Sequence, residues 1–334
     1  MYVNKFSRLG YVFLTSITMI LGGSCSNEID IFTDYKEQAA TYSLLDLGSD
    51  VQFIRVGRTF LNPGIPASAV AKEADSIYFR NLIVKLIHEQ SGNEFIFQTT
   101  DTIPKDTGYF AQVPNLLYAN KMQLMQGGSY RLIIQNPETG YTASGRTSLV
   151  EAPIVSFPVS PSNPNLSISP FLDIQLRFFN GRNARSHNAV FDFWVEDFPK
   201  SDTTQKTVTK LSWRFANNIR NEQLEPNNRV RTTPGINFYE FFKNALPIDT
   251  SRLRRIVRTD FILYSASQDL TDFVDASSPS IGIVQKQTDF SNIENGIGVF
   301  TSRHTFRVKN IALDPATIAF FNALPDYKDL QIIR

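Results

Sequence analysis

The chain has 334 residues with 33 Lys and Arg against 32 Asp and Glu, a formal net charge of +1, so it carries no electrostatic footprint for nucleic acid. Hydrophobic residues make up 42% and charged residues 19%, which excludes a wholly disordered chain and suffices for a sizeable core. Cys25 is the only cysteine, so no disulfide can form within the chain.

The N-terminus reads as an export signal. Lys5 and Arg8 precede a run from Leu9 to Ser24 that is apolar or small. A membrane-spanning helix needs about 20 predominantly apolar residues, whereas this run is shorter and is diluted by Thr15, Ser16, Thr18, Gly22 and Gly23. It is expected to be a cleaved signal peptide over residues 1–24. Its loss removes two basic residues and leaves a net charge of −1.

The segment Leu21-Gly22-Gly23-Ser24-Cys25-Ser26 resembles a lipobox, in which small residues lie extended in a processing protease and the cysteine thiol takes diacylglycerol. Leucine stands four residues before the cysteine here, with Gly22 in its usual place three before. Lipidation of Cys25 is therefore expected, and more than one acyl chain gives stable attachment. The absence of any other thiol agrees with an exported chain. Residues 25–40 form a tether whose Glu28 and Asp30 resemble the acidic surface-export signal of Bacteroidota lipoproteins.

Beyond the tether, β-branched and aromatic residues recur in short runs, the composition of pleated, half-buried surfaces, so a mostly β fold with a few short helices is expected. Tyr42 to Asp46 and Val51 to Phe60 flank the turn residues Gly48, Ser49 and Asp50. An alanine-rich stretch, Ala67 to Ala74, suits one or two helical turns. Leu82 to His88 and Glu94 to Gln98 form a hairpin pattern, with Leu82, Val84 and Leu86 on one face. Ser129 to Ile134 and Tyr141 to Thr147 form another around Asn136-Pro137-Glu138-Thr139-Gly140. Short strands at this spacing predict an antiparallel β-sandwich over 41–152.

Pro153, Pro158, Pro161, Pro164 and Pro170 punctuate residues 153–170, which read as an extended linker. A second β-rich domain is expected over 171–334. It opens on the alternating segment Leu172 to Phe178 and continues through Val190 to Val195, Leu211 to Phe215, Arg254 to Leu263 and Ile281 to Lys286, with Trp194 and Trp213 buried. Phe238, Phe241, Phe242 and Ala245 predict a helix over 235–245, ended by Pro247. Asp314 and Pro315 predict the cap and first turn of another that runs to Pro325.

Together, the lipobox-like start, the Tyr42-Ser43-Leu44-Leu45 and Gln52-Phe53-Ile54-Arg55-Val56 strands, the hairpin from Gly127 to Thr147 and Asn295-Gly296-Ile297-Gly298-Val299-Phe300 resemble an uncharacterised family of Bacteroidota outer-membrane lipoproteins. The resemblance implies immunoglobulin-like or transthyretin-like β-sandwich domains, and it carries over no functional residue.

No catalytic constellation stands out. His88, His187 and His304 lie in separate segments without metal-ligand spacing, and no nucleophile elbow, phosphate loop or zincin helix is present. Asp192 with Glu196, or Asp101 with Asp106, are carboxylate pairs that nothing singles out. Asp101 to Gly108 lacks the acidic density of a calcium loop. The chain is therefore expected to be no enzyme and to need no cofactor or metal. Arg252, Arg254 and Arg258 would share a strand face, either as an anion-binding patch or, preferred here, as a charged edge that blocks aggregation. Tyr109, Phe110, Tyr118 and Tyr239 fall in loop-like segments and are candidate ligand or partner contacts, as are Arg254 and Arg258. Two roles are expected at the outer membrane: a structural or protein-interaction component with an envelope protein as partner, or a glycan- or peptide-binding accessory to a transporter.

Overall fold

Local chemistry accounts for the first hairpins. In the computed structural model, which describes residues 36–60, 62, 65–278 and 290–334, β1 (Ala39–Asp46) pairs antiparallel with β2 (Val51–Arg58). Their turn is closed by Asp46, whose Oδ1 accepts from the Gly48 N–H at 3.0 Å, and by Gln52, whose side chain donates to the Asp46 and Ser49 carbonyls. Cys25, the signal segment, Glu28, Asp30 and the expected strand Ile281 to Lys286 lie outside the described residues.

Two single-turn helices follow, α1 (Ala67–Val70) and α2 (Ala74–Ile77), then β3 (Ile83–His88), β4 (Glu94–Thr100), β5 (Leu117–Lys121), β6 (Ser129–Gln135) and β7 (Thr142–Ser148). The β6–β7 turn takes the expected form: Asn136 Oδ1 accepts from the Glu138 and Thr139 N–H groups, and Gly140 sits at φ +71°. Next come β8 (Ile154–Phe157), β9 (Asn165–Leu166), β10 (Asp173–Phe179), β11 (Ser186–Pro199), β12 (Thr207–Arg220) and β13 (Asn228–Pro234). The chain ends with α3 (Ile236–Ala245), β14 (Arg252–Ala266), α4 (Gln268–Ser277), β15 (Ile293–Glu294), β16 (Gly296–Val308), β17 (Ala312–Leu313), α5 (Pro315–Ala323) and β18 (Ile332–Ile333). The protein is mostly β with a few short helices.

One continuous sheet runs in the order β12-β11-β14-β16-β1-β2-β5-β4-β3-β6-β7-β15, with β18 added to β14, and smaller sheets join β13-β10-β8 and β17-β9. Most pairs are antiparallel, but β1 lies parallel to β16 over eight positions, from Ala39 opposite Gly296 to Asp46 opposite Arg303. Residues Glu37–Arg334 form one compact unit containing two large hydrophobic cores and a small cluster of Ile77, Tyr78 and Ala111. In one core, Leu45, Ile54 and Phe300 meet Val84, Leu86, Leu132 and Ile134. The other is aromatic, built on Phe191, Phe193, Trp213, Phe238, Phe242, Phe261 and Phe321.

The proline-rich stretch 153–170 is built into this unit instead of spanning open space. It supplies β8 and β9, and Val155, Val159, Leu166 and Ile168 are buried in the aromatic core. Helix α3 forms although Phe, Tyr and Asn are weak helix formers. Each costs up to about 0.7 kcal/mol in propensity, whereas burying a Phe contributes about 1.5–3 kcal/mol, and Phe238, Tyr239 and Phe242 are all buried. Helix α5 starts as its sequence indicates, with Asp314 accepting from the Ala316 N–H at 2.8 Å and Pro315 in the first turn. Helix α4 was not expected. It is capped by Ser267, which accepts from the Leu270 N–H.

Candidate functional site

The outer face of three adjacent strands forms the floor of the main apolar groove. Alternation along β1 sends Ala39, Thr41, Ser43 and Leu45 inward and leaves Ala40, Tyr42 and Leu44 outward. The register places Ile297, Ala40 and Gly57 side by side across β16, β1 and β2, with Tyr42 beside Arg55 in the next outward row. Gly57 keeps the floor low: a Cβ there would lie 3.2 Å from the Ile77 carbonyl, so a side chain would press on the end of α2.

The walls are Phe60, Ile77 and Tyr78, which pack with Ala111 of the loop between β4 and β5, and Lys105 and Phe110 of that same loop. That loop is held by the Ala111 N–H donating to the Ala71 carbonyl at 2.9 Å and by Asn115, which donates to the Ile103 carbonyl. Asn115 also accepts from Arg55 Nη2 at 2.7 Å. Lys105 donates to the Ala111 carbonyl and lies 5.3 Å over the Phe110 ring, which also lines the groove. The enclosed volume is about 490 Å³, within the range of small-ligand sites.

Charge in this groove is one-sided. Among the described residues, three cations, Arg55, Arg58 and Lys105, line it and no carboxylate does. Arg58 is neutralised by Glu37 at 2.8 Å, but neither Arg55 nor Lys105 has an ion-pair partner among the described residues. Burial, and then the positive charge of Arg55, push the Lys105 ammonium below the ordinary lysine pKa. The buried Tyr78 hydroxyl has no hydrogen-bond partner among the described residues. The arrangement can hold an apolar body and compensate a negative charge.

The sequence candidates do not assemble into one platform. Tyr109 is 79% exposed and Phe110 is at the groove rim. Tyr118 is instead buried in the core, and Tyr239 is fully buried on α3, where its hydroxyl donates to the Ile168 carbonyl at 2.8 Å. Burial raises the pKa of both phenols. A helix and an inward strand position, not loops, carry these two rings.

Nor do the arginines form a shared patch or a charged edge. The arginine-bearing half of β14 pairs with β11 on one side and, at Arg254 and Arg255, with β18 on the other, while its second half pairs with β16. A register shift opposite Trp194 and Val195 inserts Val257 as an extra residue, so Arg254 and Arg258 project from opposite faces. Arg254 is fully buried, donating to Asp197 at 3.0 Å and to the Leu330 carbonyl at 2.8 Å; Arg252 also pairs with Asp197. Arg258 stacks 4.3 Å over Trp194, which is half-buried instead of sitting in the core, and it makes a two-armed bond to Asp260.

The carboxylate pairs are likewise separate. Asp192 bonds Lys210 and Ser212, Glu196 bonds Lys206, and Asp101 and Asp106 are exposed. The register brings Asp192 opposite Asp260, a pairing the sequence did not indicate. Burial draws the Asp260 pKa up, but Arg258, the Asn310 N–H and Arg307 outweigh it and hold the carboxyl low. The histidines are packed apart: His88 bonds Ser91, His187 is sealed between Ser265 and Asn221, and His304 lies on β16. Among the described residues no group of three or more His, Cys, Asp or Glu is placed to hold a metal ion.

No protein-family model and no curated protein matches the chain. Among solved structures it is similar to the C-terminal globular domain of an oligosaccharyltransferase from Pyrococcus abyssi, at 9% identity and a TM-score of 0.23, over 66% of this chain and 42% of that one. A biofilm-associated protein BSP domain matches at 9% identity and a TM-score of 0.15, over 81% of this chain and 58% of the other. The chain spans less than two thirds of either, and likenesses at these scores bear on neither fold nor function.

The groove residues Tyr42, Arg55, Tyr78 and Lys105 escaped the sequence reading. Alternation marks Tyr42 and Arg55 as outward and the β1–β2 hairpin sets them side by side, but Ile297 joins the floor only through the β1–β16 pairing between distant segments. Lys105 is placed by the hydrogen bonds of an irregular loop.

Proposed function

We propose that the protein is a lipid-anchored component of the bacterial cell envelope, tethered at the outer membrane through Cys25, and that it acts by capturing a ligand in the groove over β16, β1 and β2. The observation that carries the reading is an apolar groove whose lining, among the described residues, has three cations and no carboxylate. Buried apolar surface supplies affinity and the few charged groups supply orientation, the usual division of labour in a binding site. Anchoring explains a signal segment that ends at the chain's sole thiol.

The reading is tested with the neutral dye N-phenyl-1-naphthylamine and the chain from Ser26 onward, which omits the lipid and keeps the compact unit Glu37–Arg334 with both its cores. Ala40 points outward into the groove, so Ala40→Trp fills it without touching the core. Dye fluorescence is expected to rise on the parent protein and to need at least about tenfold more variant for the same signal, with the melting temperature unchanged. Equal binding by the two proteins would remove the groove from the account.

A docking role for an envelope protein has one observation in its favour. On the β13-β10-β8 sheet, Ile154, Phe157, Phe179 and Val230 share an exposed apolar face, with Arg177 stacked on Phe157 at 5.3 Å.

A further inference from the structure

We propose that the occupant of the groove is a single-headed acidic amphiphile, an aliphatic or aromatic carboxylate whose acid group sits between Arg55 and Lys105 while its apolar body lies along Ile297, Ala40 and Gly57. The proposal rests on the capture reading above and names its ligand class.

Charge complementarity selects the head group. Of the three cations at the groove, Arg58 already has Glu37, leaving Arg55 and Lys105 uncompensated and close enough to repel each other. One guanidinium nitrogen of Arg55 is committed to Asn115, and Lys105 has a single neutral acceptor, the Ala111 carbonyl. Donors therefore remain on both side chains. A carboxylate relieves the repulsion and accepts from both, a charge-assisted contact stronger than the neutral bonds now present. Apolar selection comes from the floor: Gly57 and Ala40 offer no polar atom beyond the backbone, and Ile297 is 43% exposed there. A sugar would leave its hydroxyls unpaired on this floor. The Phe110 ring, which lies under Lys105 and lines the groove, adds apolar surface for the body.

The test compares laurate with dodecanol, equal in chain length and different in charge, by calorimetric titration of the chain from Ser26 onward at low salt. Laurate is expected to bind at least about tenfold more tightly than dodecanol. Lys105→Met and Arg55→Met should each lower laurate affinity and leave dodecanol unaffected, and Arg55→Lys should restore part of the loss. Circular-dichroism melts on each variant separate lost folding from lost binding. The proposal is overturned if dodecanol binds as well as laurate, if both methionine variants bind laurate normally, or if neither ligand binds a protein that still takes up the neutral dye. Failure to take up the dye at all would instead defeat the capture reading beneath it.

Discussion

His187 shows what burial does to a single titratable side chain. It is fully enclosed, with Ser265 at 2.9 Å from Nδ1, Asn221 at 3.0 Å from Nε2 and Phe178 packed edge-on at 4.7 Å. Burial, and then the charge of Arg229, push its pKa down to about 3. The folded-state pKa is depressed, so the unfolded chain takes up a proton between about pH 6.5 and pH 3 that the folded protein refuses. Stability must fall as pH falls through that window, by up to about 1.4 kcal/mol per pH unit from this residue. His187→Gln keeps hydrogen-bonding capacity and cannot titrate. Its melting temperature should therefore decline less steeply than that of the parent between pH 7 and pH 4.5, whatever its starting value. Parallel curves would show that folding leaves the His187 pKa unshifted.

Secondary elements were legible where the cause is local, and illegible where a distant partner decides. The hairpins closed by Gly48 to Asp50 and by Asn136 to Gly140 follow from turn chemistry and alternation, and α3 and α5 from apolar spacing, Asp314 and Pro315. Helix α4 was missed although Ser267 is a good cap and Leu270, Phe273 and Val274 have helical spacing, because it directly follows the long strand β14, whose last residues are apolar or small. The shared arginine face failed on the bulge at Val257, since one inserted residue reverses every side chain beyond it. The parallel β1–β16 pair also depends on one position. Gly298 sits at φ +105°, and a Cβ there would fall 2.0 Å from the Thr41 carbonyl oxygen. Gly298→Ala should cost at least about 3 kcal/mol in urea unfolding, since strain and steric overlap act together. Gly140→Ala, at φ +71° in an open turn, should cost only about 1–2 kcal/mol. Equal costs would mean that β1 and β16 are not held at that spacing.

At the scale of the whole molecule, the sheet joins segments that the sequence presents as separate blocks. β16 lies between β14 and β1, and β15 pairs with β7, so residues near the C-terminus border both cores. The groove follows from the same topology, because its floor takes Ile297 from one end of the chain and Ala40 and Gly57 from the other. A composition-based reading reaches the mostly β character and stops short of this site. The most direct test of the account is native mass spectrometry of the full-length protein extracted from its own membranes. The expected spectrum shows a mature chain beginning at an acylated Cys25, accompanied by a noncovalently held organic acid that the Ala40→Trp protein lacks. An unacylated Cys25, with no acid retained or with the same acid retained by the variant, would contradict it.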